Sequence, residues 1–270
     1  MKKWIFNNLN ERFENRNVDF KSWMTPTKFS IMPFHTAADY TVNEISKLNK
    51  KLFIALSGGV DSEYALLSFH RNKIPITPII IELSSNKLEI SYAYYMCKKL
   101  KIEPHIIKIS DDEYIDLYMY YFKKINARIT FSIVTYVASC FAKKMNGILI
   151  TGNELVDYNF DSVWRVMCAE WDYYHDILLP DNIHIDFFTC TPEITYSLIY
   201  EYDGSSVDIL KNRVYGTSYR PKIDFVFDKK FYEKISRLRE KHITPNTFHI
   251  FGHRDDFIKT MELWNNENLV

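Results

Sequence analysis

The sequence contains few glycines. Its 270 residues include only 7, whereas average usage would give about 19. Glycine is used mainly where the backbone needs a positive φ or a close approach to another group. Gly58 and Gly59 are adjacent, and Gly152 follows a separate apolar run. These positions therefore mark places where the chain needs a residue without a side chain.

The chain also lacks paired cysteines, a net charge and a long apolar run. Its 4 cysteines form no CxxC pair and have no metal-ligand spacing, which excludes a cysteine-rich metal cluster and predicts reduced thiols. Lys+Arg and Asp+Glu both number 34, so no global field favours nucleic acid or membranes. The apolar runs are too short for a bilayer, and the N-terminal residues lack the apolar region of a signal peptide. We therefore expect a cytoplasmic protein without a membrane partner, and the sequence leaves its oligomeric state open.

Apolar runs and amphipathic segments alternate along the first half of the chain. Hydrophobic residues make up 47% and charged residues 25% of the sequence, which is typical of a globular protein. Apolar runs predict strands at 51–56, 77–83, 104–109 and 147–151. Helical spacing predicts helices from residue 36 onward and at 62–73, 86–100, 111–124 and 130–145. Thr191, Pro192 and Glu193 form a good helix start and predict a helix at 192–202, and further helices are predicted at 231–242 and 254–265. This alternation is typical of an α/β fold, a doubly wound parallel sheet with right-handed crossovers.

The pattern divides the chain into three regions. We predict an N-terminal extension (1–35), an α/β domain (36–160), and a smaller, mostly helical C-terminal part (161–270) that packs on it. Residues 154–186 carry a net charge of −7 and residues 208–242 one of +5. These segments are either solvated surfaces, or an acidic wall for a metal or cationic substrate and a basic lid over phosphates. Gly216 is a candidate hinge of that lid.

Residues 57–62, with the sequence SGGVDS, join the first of these strands to a helix. The two glycines let the backbone turn tightly, and the helix contributes its unpaired N–H groups and the positive end of its dipole. This arrangement predicts an anion cradle sized for phosphate, to which Ser57 and Ser62 add hydroxyl donors. Asp61 would repel a bare phosphate, so its presence indicates a bridging Mg²⁺. The segment does not match the GxxxxGK[ST] phosphate loop, and the alternative is a tight turn that merely uses Gly-Gly.

The SGGVDS motif resembles the signature loop of the ATP pyrophosphatases of the PP-loop superfamily, which includes asparagine synthetase. The resemblance covers residues 36–160 and implies a sheet with strand order 3-2-1-4-5. It implies ATP and Mg²⁺ as cofactors, and cleavage of ATP between the α- and β-phosphates. A substrate oxygen is adenylated, pyrophosphate leaves, and a nucleophile then displaces AMP. The residues that it assigns to the phosphates are Ser57, Gly58, Gly59, Val60, Asp61 and Ser62, with Asp61 also on the metal. It places adenine between the ends of the first two strands, near Leu56 and Leu83.

A second signal follows the fourth strand at Thr151 and Gly152. It resembles the segment of asparagine synthetase and its relatives whose backbone contacts adenine and whose acid helps to hold the metal. On this resemblance, Glu154 and Asp157 are candidate metal ligands. Asn153 stands where asparagine synthetase has an acid, so an exposed acidic turn is the alternative.

Basic residues of the C-terminal region are candidates for contacts with pyrophosphate. The superfamily often uses a lysine or arginine from this region, and the resemblance makes Arg220 and Lys222 candidate catalytic residues that stabilise the leaving charge. Glu89 and Arg128 either approach the site or lie on the surface as solvated charges.

Departures from these relatives narrow the expected function. Lys2 stands where asparagine synthetase has the catalytic cysteine of its glutaminase domain, so ammonia would be free or come from a separate donor protein. The resemblance then implies an asparagine synthetase-like, AMP- and pyrophosphate-forming ligase that makes a C–N bond on a small-molecule substrate. One alternative is modification of tRNA or a nucleobase by the same adenylation, which the +5 segment favours and the neutral net charge disfavours. Another is a nucleotide-binding protein that has lost catalysis.

Overall fold

The described part of the protein combines one large sheet, two small sheets and six helices. The computed structural model describes residues 4–7, 14, 22–24, 30–84, 86–125, 133–152, 156–158, 164–166, 179, 184–201, 211–212, 214–215 and 249–250. Within the predicted N-terminal extension, β1 (Ile5–Asn7) and β2 (Ser22–Met24) pair antiparallel.

A five-stranded parallel sheet forms the centre of the molecule. Its strands are β3 (Lys51–Ala55), β4 (Thr77–Glu82), β5 (His105–Lys108), β6 (Gly147–Thr151) and β9 (His184–Asp186). Their order across the sheet is β5-β4-β3-β6-β9, and every neighbouring pair is parallel. Counted along the chain, this is the order 3-2-1-4-5. The predicted α/β fold and its strand order are therefore confirmed.

Helices connect and cover the strands of this sheet. They are α1 (Phe34–Ser46), α2 (Val60–Arg71), α3 (Lys87–Leu100), α4 (Asp111–Ile125), α5 (Ile133–Lys144) and α6 (Pro192–Tyr200). Each lies where helical spacing predicts it, with shifted ends. The helices predicted at 231–242 and 254–265 lie outside the described residues.

Side chains of the strands alternate between two hydrophobic cores. Leu52 and Ile54 of β3 lie in the core that also contains residues of α1, α2 and α6, whereas Phe53 lies in the core that contains residues of α5. Because successive side chains of a strand point to opposite faces, this division shows that both faces of the sheet are covered. A ligand must therefore bind at the ends of the strands, and in open α/β sheets ligands bind at the carboxyl ends.

A three-stranded antiparallel sheet is formed by β7 (Val156–Tyr158), β8 (Trp164–Val166) and β10 (His249–Ile250), in the order β10-β8-β7. It joins residues that lie far apart in the sequence and adds strands to a region that we predict to be mostly helical. The described residues contain no helix that is both long enough and apolar enough to cross a membrane.

Three cysteines lie among the described residues, and none of them forms a disulfide bond there: Cys97, Cys140 and Cys190. Burial raises the pKa of Cys97 to about 11 and also raises the pKa values of the other two thiols. All three therefore stay protonated near neutral pH and act as small apolar groups.

Candidate functional site

The SGGVDS segment forms a tight turn between β3 and α2 at the carboxyl edge of the sheet. Gly58 has a φ of +94°, and a Cβ atom there would lie 2.0 Å from the carbonyl oxygen of Glu89. Both the backbone conformation and the contact with α3 therefore require glycine at this position. Gly59 has φ −73° and ψ 157° and is the N-cap residue of α2.

Hydrogen bonds between the serines and the backbone close this turn. The N–H of Gly59 donates to Ser57 Oγ at 3.2 Å, and Ser62 Oγ donates to the carbonyl oxygen of Gly59 at 3.0 Å. The two hydroxyl oxygens lie 3.2 Å apart. The first N–H groups of α2 have no intrahelical acceptors, and the helix dipole is positive at this end. The turn therefore has the strand–turn–helix geometry that an anion cradle requires, and its binding of phosphate stays a prediction.

Gly152 brings the second signal directly against the turn. A Cβ atom at Gly152 would lie 2.8 Å from both the N and the Cα of Ser62, and 2.9 Å from the carbonyl carbon of Asp61. The end of β6 therefore touches the first turn of α2, and only glycine permits this approach. The predicted proximity of the two motifs is present in the structure.

The side chain of Thr151 links β6 to β9. Its Oγ1 donates to Asp186 Oδ2 at 3.2 Å and lies 3.0 Å from His184 Nε2. Thr151 is only 2% exposed, so its hydroxyl contacts the protein itself. A contact of its backbone with a nucleotide stays a prediction.

Leu56 and Leu83 follow the first two strands of the parallel sheet, as predicted, but they lie in different cores. Leu56 belongs to the core with α1 and α2, and Leu83 to the core with α5. The N–H of Leu56 donates to the carbonyl oxygen of Ile79, and the N–H of Leu83 donates to Asn86 Oδ1. An adenine ring between these strand ends would thus contact the chain at the rim of both cores.

Asp61 is bound by two residues from the C-terminal region. Lys211 Nζ lies 3.0 Å from Asp61 Oδ2, and Tyr215 Oη donates to Asp61 Oδ1 at 2.8 Å. The side chain of Lys211 is 7% exposed and that of Asp61 is 17% exposed. Among the described residues, the carboxylate therefore has an ionic partner on one oxygen and a neutral partner on the other, in a largely desolvated place.

A cluster of aromatic rings fixes the position of Tyr215. Its ring stacks on Tyr64 with centroids 4.5 Å apart, and on Phe34 and Phe188 at 5.8 Å each. Tyr64 Oη in turn lies 2.8 Å from His35 Nδ1, and burial raises the pKa of Tyr64 to about 12. The hydroxyl of Tyr215 is thus held towards Asp61 by packing as well as by its hydrogen bond.

No motif in the sequence indicates a role for Lys211 or Tyr215. Lys211 is one of ten Lys and Arg residues in the 208–242 segment, and the resemblance drew attention to Arg220 and Lys222 instead. The available signal was the spacing of four residues between Lys211 and Tyr215, which places both on one face of a helix. Nothing local indicates that this face meets Asp61.

Glu89 lies beside the turn. Its carbonyl oxygen faces Gly58, its side chain is half-buried, and burial raises the pKa of its carboxyl group. The backbone of Glu89 therefore lies at the turn, and a role for its carboxylate in the site stays a prediction. Its carboxylate forms no hydrogen bond or ion pair within the described part of the chain.

Several predicted site residues lie outside the described residues: Glu154, Arg220, Lys222, Gly216 and Arg128. Asp157 lies on β7, where its Cα pairs with that of Arg165. Roles for these residues in metal or phosphate binding stay predictions.

The donor set at the turn is suited to Mg²⁺ only together with phosphates. The described residues contain no group of three His, Cys, Asp or Glu side chains that could hold a metal ion. Mg²⁺ commonly binds through one or two carboxylates, substrate phosphates and several waters. Asp61 at the mouth of an anion cradle satisfies that requirement.

Comparison with known proteins finds no matching family model and no matching curated protein. Similar solved structures include ammonia-dependent NAD synthetase from Campylobacter jejuni in complex with nitrate, with 14% identity, covering 87% of this chain and 93% of that chain, and a TM-score of 0.37. Glutamine-dependent NAD⁺ synthetase from Acinetobacter baumannii in complex with ADP has 10% identity, covering 89% of this chain and 51% of that chain, and a TM-score of 0.39. NMN synthetase from Francisella tularensis has 16% identity, covering 80% of this chain and 100% of that chain, and a TM-score of 0.36. These weak likenesses carry no argument about activity, so the fold assignment depends on the strand order itself, and the resemblance to asparagine synthetase stays a prediction.

Proposed function

We propose that the chain binds ATP and Mg²⁺ at the SGGVDS turn and cleaves ATP between its α- and β-phosphates. The carboxylate or amide oxygen of a small molecule attacks the α-phosphate, and pyrophosphate leaves. An amine or ammonia then attacks the carbon that carries the adenylated oxygen, the C–N bond forms, and the C–O bond breaks to release AMP. The observation that carries this proposal is the turn itself, in which Gly58 at positive φ leads into a helix whose second residue is Asp61.

The residues of the turn would divide the binding of the phosphates among them. The hydroxyls of Ser57 and Ser62 can rotate away from their present partners. The first N–H groups of α2 have no acceptor within the helix and can donate to an anion. Mg²⁺, when bound through Asp61, would neutralise charge on the β- and γ-phosphates. Among the described residues, Lys211 is a basic residue that lies at the turn. Its ammonium group can stabilise the negative charge of the departing pyrophosphate.

Substitution of Asp61 tests this assignment of the metal ligand. We expect Asp61→Asn to weaken the binding of a nonhydrolysable ATP analogue with Mg²⁺ by at least about tenfold, or ~1.4 kcal/mol, because the amide is a poorer ligand for a dication. Isothermal titration calorimetry measures the affinity. Asp112→Asn is a matched control, because Asp112 is the second residue of α4 just as Asp61 is the second residue of α2.

Two results would contradict the proposal. One is wild-type protein that binds the analogue equally well with and without Mg²⁺. The other is an equal loss of affinity in the Asp61 and Asp112 variants, which would indicate a general effect of charge rather than a site.

Release of pyrophosphate separates the ligase from the alternatives. We propose that ATP yields AMP and pyrophosphate when a panel of amino acids and amines is supplied, whereas a binding protein without catalysis would release none. The tRNA alternative depends on the basic 208–242 segment. Within the described part of this segment, Lys211 pairs with Asp61. An affinity for tRNA that falls steeply with increasing salt concentration would favour the tRNA alternative.

A further inference from the structure

The C-terminal region occupies the carboxylate that the proposed function assigns to the metal. Lys211 and Tyr215 each approach a different oxygen of Asp61, at 3.0 Å and 2.8 Å. An ammonium group and a dication on one carboxylate would repel each other strongly in a place that is largely desolvated. Metal binding and the Lys211–Asp61 ion pair are therefore opposed.

The two partners of Asp61 differ in how easily they can leave. Tyr215 is 4% exposed and stacks on Phe34, Tyr64 and Phe188, so its departure would open the aromatic cluster. Lys211 has a long, flexible side chain whose charged end alone must move to reach a new anion. Of the two contacts, the ion pair is the one that can be exchanged without repacking the core.

We propose that Lys211 and the metal compete for Asp61, so that the site takes up Mg²⁺ only together with the nucleotide. In the nucleotide-free protein, Lys211 neutralises Asp61 and keeps the dication out. When the phosphates of the nucleotide bind at the SGGVDS turn, the ammonium group of Lys211 leaves Asp61 and pairs with a phosphate. Asp61 then becomes available to the metal. Tyr215 stays on the other oxygen and keeps the carboxylate oriented. This inference rests on the proposed function, since it takes Asp61 as the metal ligand.

Binding of Mn²⁺, used as a spectroscopic substitute for Mg²⁺, tests the competition directly. Free and bound Mn²⁺ are distinguished by electron paramagnetic resonance, first without nucleotide and then with a nonhydrolysable ATP analogue. We expect wild-type protein to bind Mn²⁺ weakly alone, and at least about tenfold more tightly with the analogue. Lys211→Met should bind Mn²⁺ at least about tenfold more tightly than wild type without nucleotide, because the competing charge is gone.

Three further variants make the test specific. Lys211→Arg keeps the charge and should keep nucleotide-free binding as weak as in wild type. Tyr215→Phe keeps the ring and removes only a neutral hydrogen bond, so its nucleotide-free affinity should rise less than that of Lys211→Met. Lys47→Met removes an exposed lysine that pairs with Glu44 and should behave as wild type, because Lys47 precedes β3 whereas Asp61 follows its other end.

Failure of this inference can be told apart from failure of the proposed function. Equal nucleotide-free affinities in wild type, Lys211→Met and Lys211→Gln would overturn the competition, even where the analogue still brings Mn²⁺ to Asp61. An Asp61→Asn protein that binds Mn²⁺ and the analogue as tightly as wild type would overturn the assignment of the metal ligand instead. Should both neutral variants fail to fold, as judged by circular dichroism, wild-type binding that is as tight without the analogue as with it would still overturn the inference.

Discussion

Gly58 carries the conformation on which the turn depends. We expect Gly58→Ala to lower the free energy of unfolding by about 3 kcal/mol, because alanine is strained at a φ of +94° and its methyl group would meet the carbonyl oxygen of Glu89. The turn would shift to relieve this contact, so binding of an ATP analogue should be lost as well. Urea unfolding and calorimetry measure the two effects.

The neighbouring glycine supplies the control for this substitution. Gly59 has a φ that alanine adopts readily, and a Cβ atom there would lie 3.3 Å from Ser57 Oγ, which belongs to a side chain that can rotate. We expect Gly59→Ala to cost less than about 1 kcal/mol, mainly through its N-cap position. Equal destabilisation by the two substitutions would show that the positive φ of Gly58 is not the controlling feature.

Residues of the site differ in how far the sequence reveals them. The turn could be predicted because its glycines, serines and aspartate are contiguous and lie between a recognisable strand and helix. The contact of Gly152 with Ser62 follows from the strand order, which places β6 beside β3. Lys211 and Tyr215 could not be predicted, because a separation of 150 residues or more along the chain leaves no local pattern that points to Asp61.

At the scale of elements, β9 pairs with β6 through its backbone and is also held by polar contacts of its side chains. Asp186 Oδ1 accepts hydrogen bonds from the N–H groups of Phe188 and Thr189, and its Oδ2 accepts one from Thr151. The same threonine hydroxyl contacts His184 Nε2. Because β9 is three residues long with one buried apolar residue, Ile185, this network contributes much of what fixes its position.

The histidine of this network gives β9 a dependence on pH. Burial lowers the pKa of His184 to about 4, below its ordinary value of 6.5. The unfolded chain therefore binds the proton more tightly than the folded chain does. The contribution of neutral His184 to the free energy of unfolding is therefore complete above pH ~6.5. It should be lost as the pH is lowered from ~6.5 towards ~4.

Substitution of His184 isolates this contribution from those of other acidic and basic groups. We expect the free energy of unfolding of the His184→Gln protein to fall by about 1–2 kcal/mol less than that of wild type between pH 6.5 and 4. This range is smaller than the full pKa shift would give, because the residue His184 is only partly buried. Glutamine can still reach the hydroxyl of Thr151. His70→Gln, at an exposed position of α2, should show the same loss as wild type, and an identical loss in all three proteins would refute the assignment.

Elements differ in predictability for the same reason that they differ in packing. The runs at 51–56, 77–83 and 147–151 form strands buried on both faces, so they appear as continuous apolar segments. The strand β9 has the sequence His-Ile-Asp at an edge of the sheet, and such a segment carries no detectable periodicity. A fifth strand is expected from the strand order that the resemblance to the PP-loop superfamily implies. The position of this strand in the sequence is known only from the structure.

At the scale of the whole molecule, distant segments share one core. Trp4 donates a hydrogen bond to the carbonyl oxygen of Thr189, and its ring lies 5.7 Å from that of Tyr196. The N–H of Phe34 donates to Glu201, and Thr41 Oγ1 lies 2.7 Å from Thr191 Oγ1. The N-terminal segment and α1 thus pack on the corner between β9 and α6. The aromatic cluster that positions Tyr215 belongs to the same core.

This arrangement predicts that the chain cannot be divided at the end of the predicted α/β domain. A fragment of residues 1–160 keeps the turn but loses β9, α6 and the buried rings of Phe187 and Phe188, which cover one face of the sheet. Removal of one large core ring costs about 3–5 kcal/mol, so loss of both approaches or exceeds the stability of a typical domain. We expect the fragment to show no cooperative urea transition and a poorly dispersed NMR spectrum, whereas the full chain unfolds cooperatively.

A fragment of residues 1–201, which restores β9 and α6, should recover a cooperative transition even without Lys211 and Tyr215. Cooperative unfolding of the 1–160 fragment within about 1 kcal/mol of the full chain would mean that the C-terminal region is an appendage rather than part of the core.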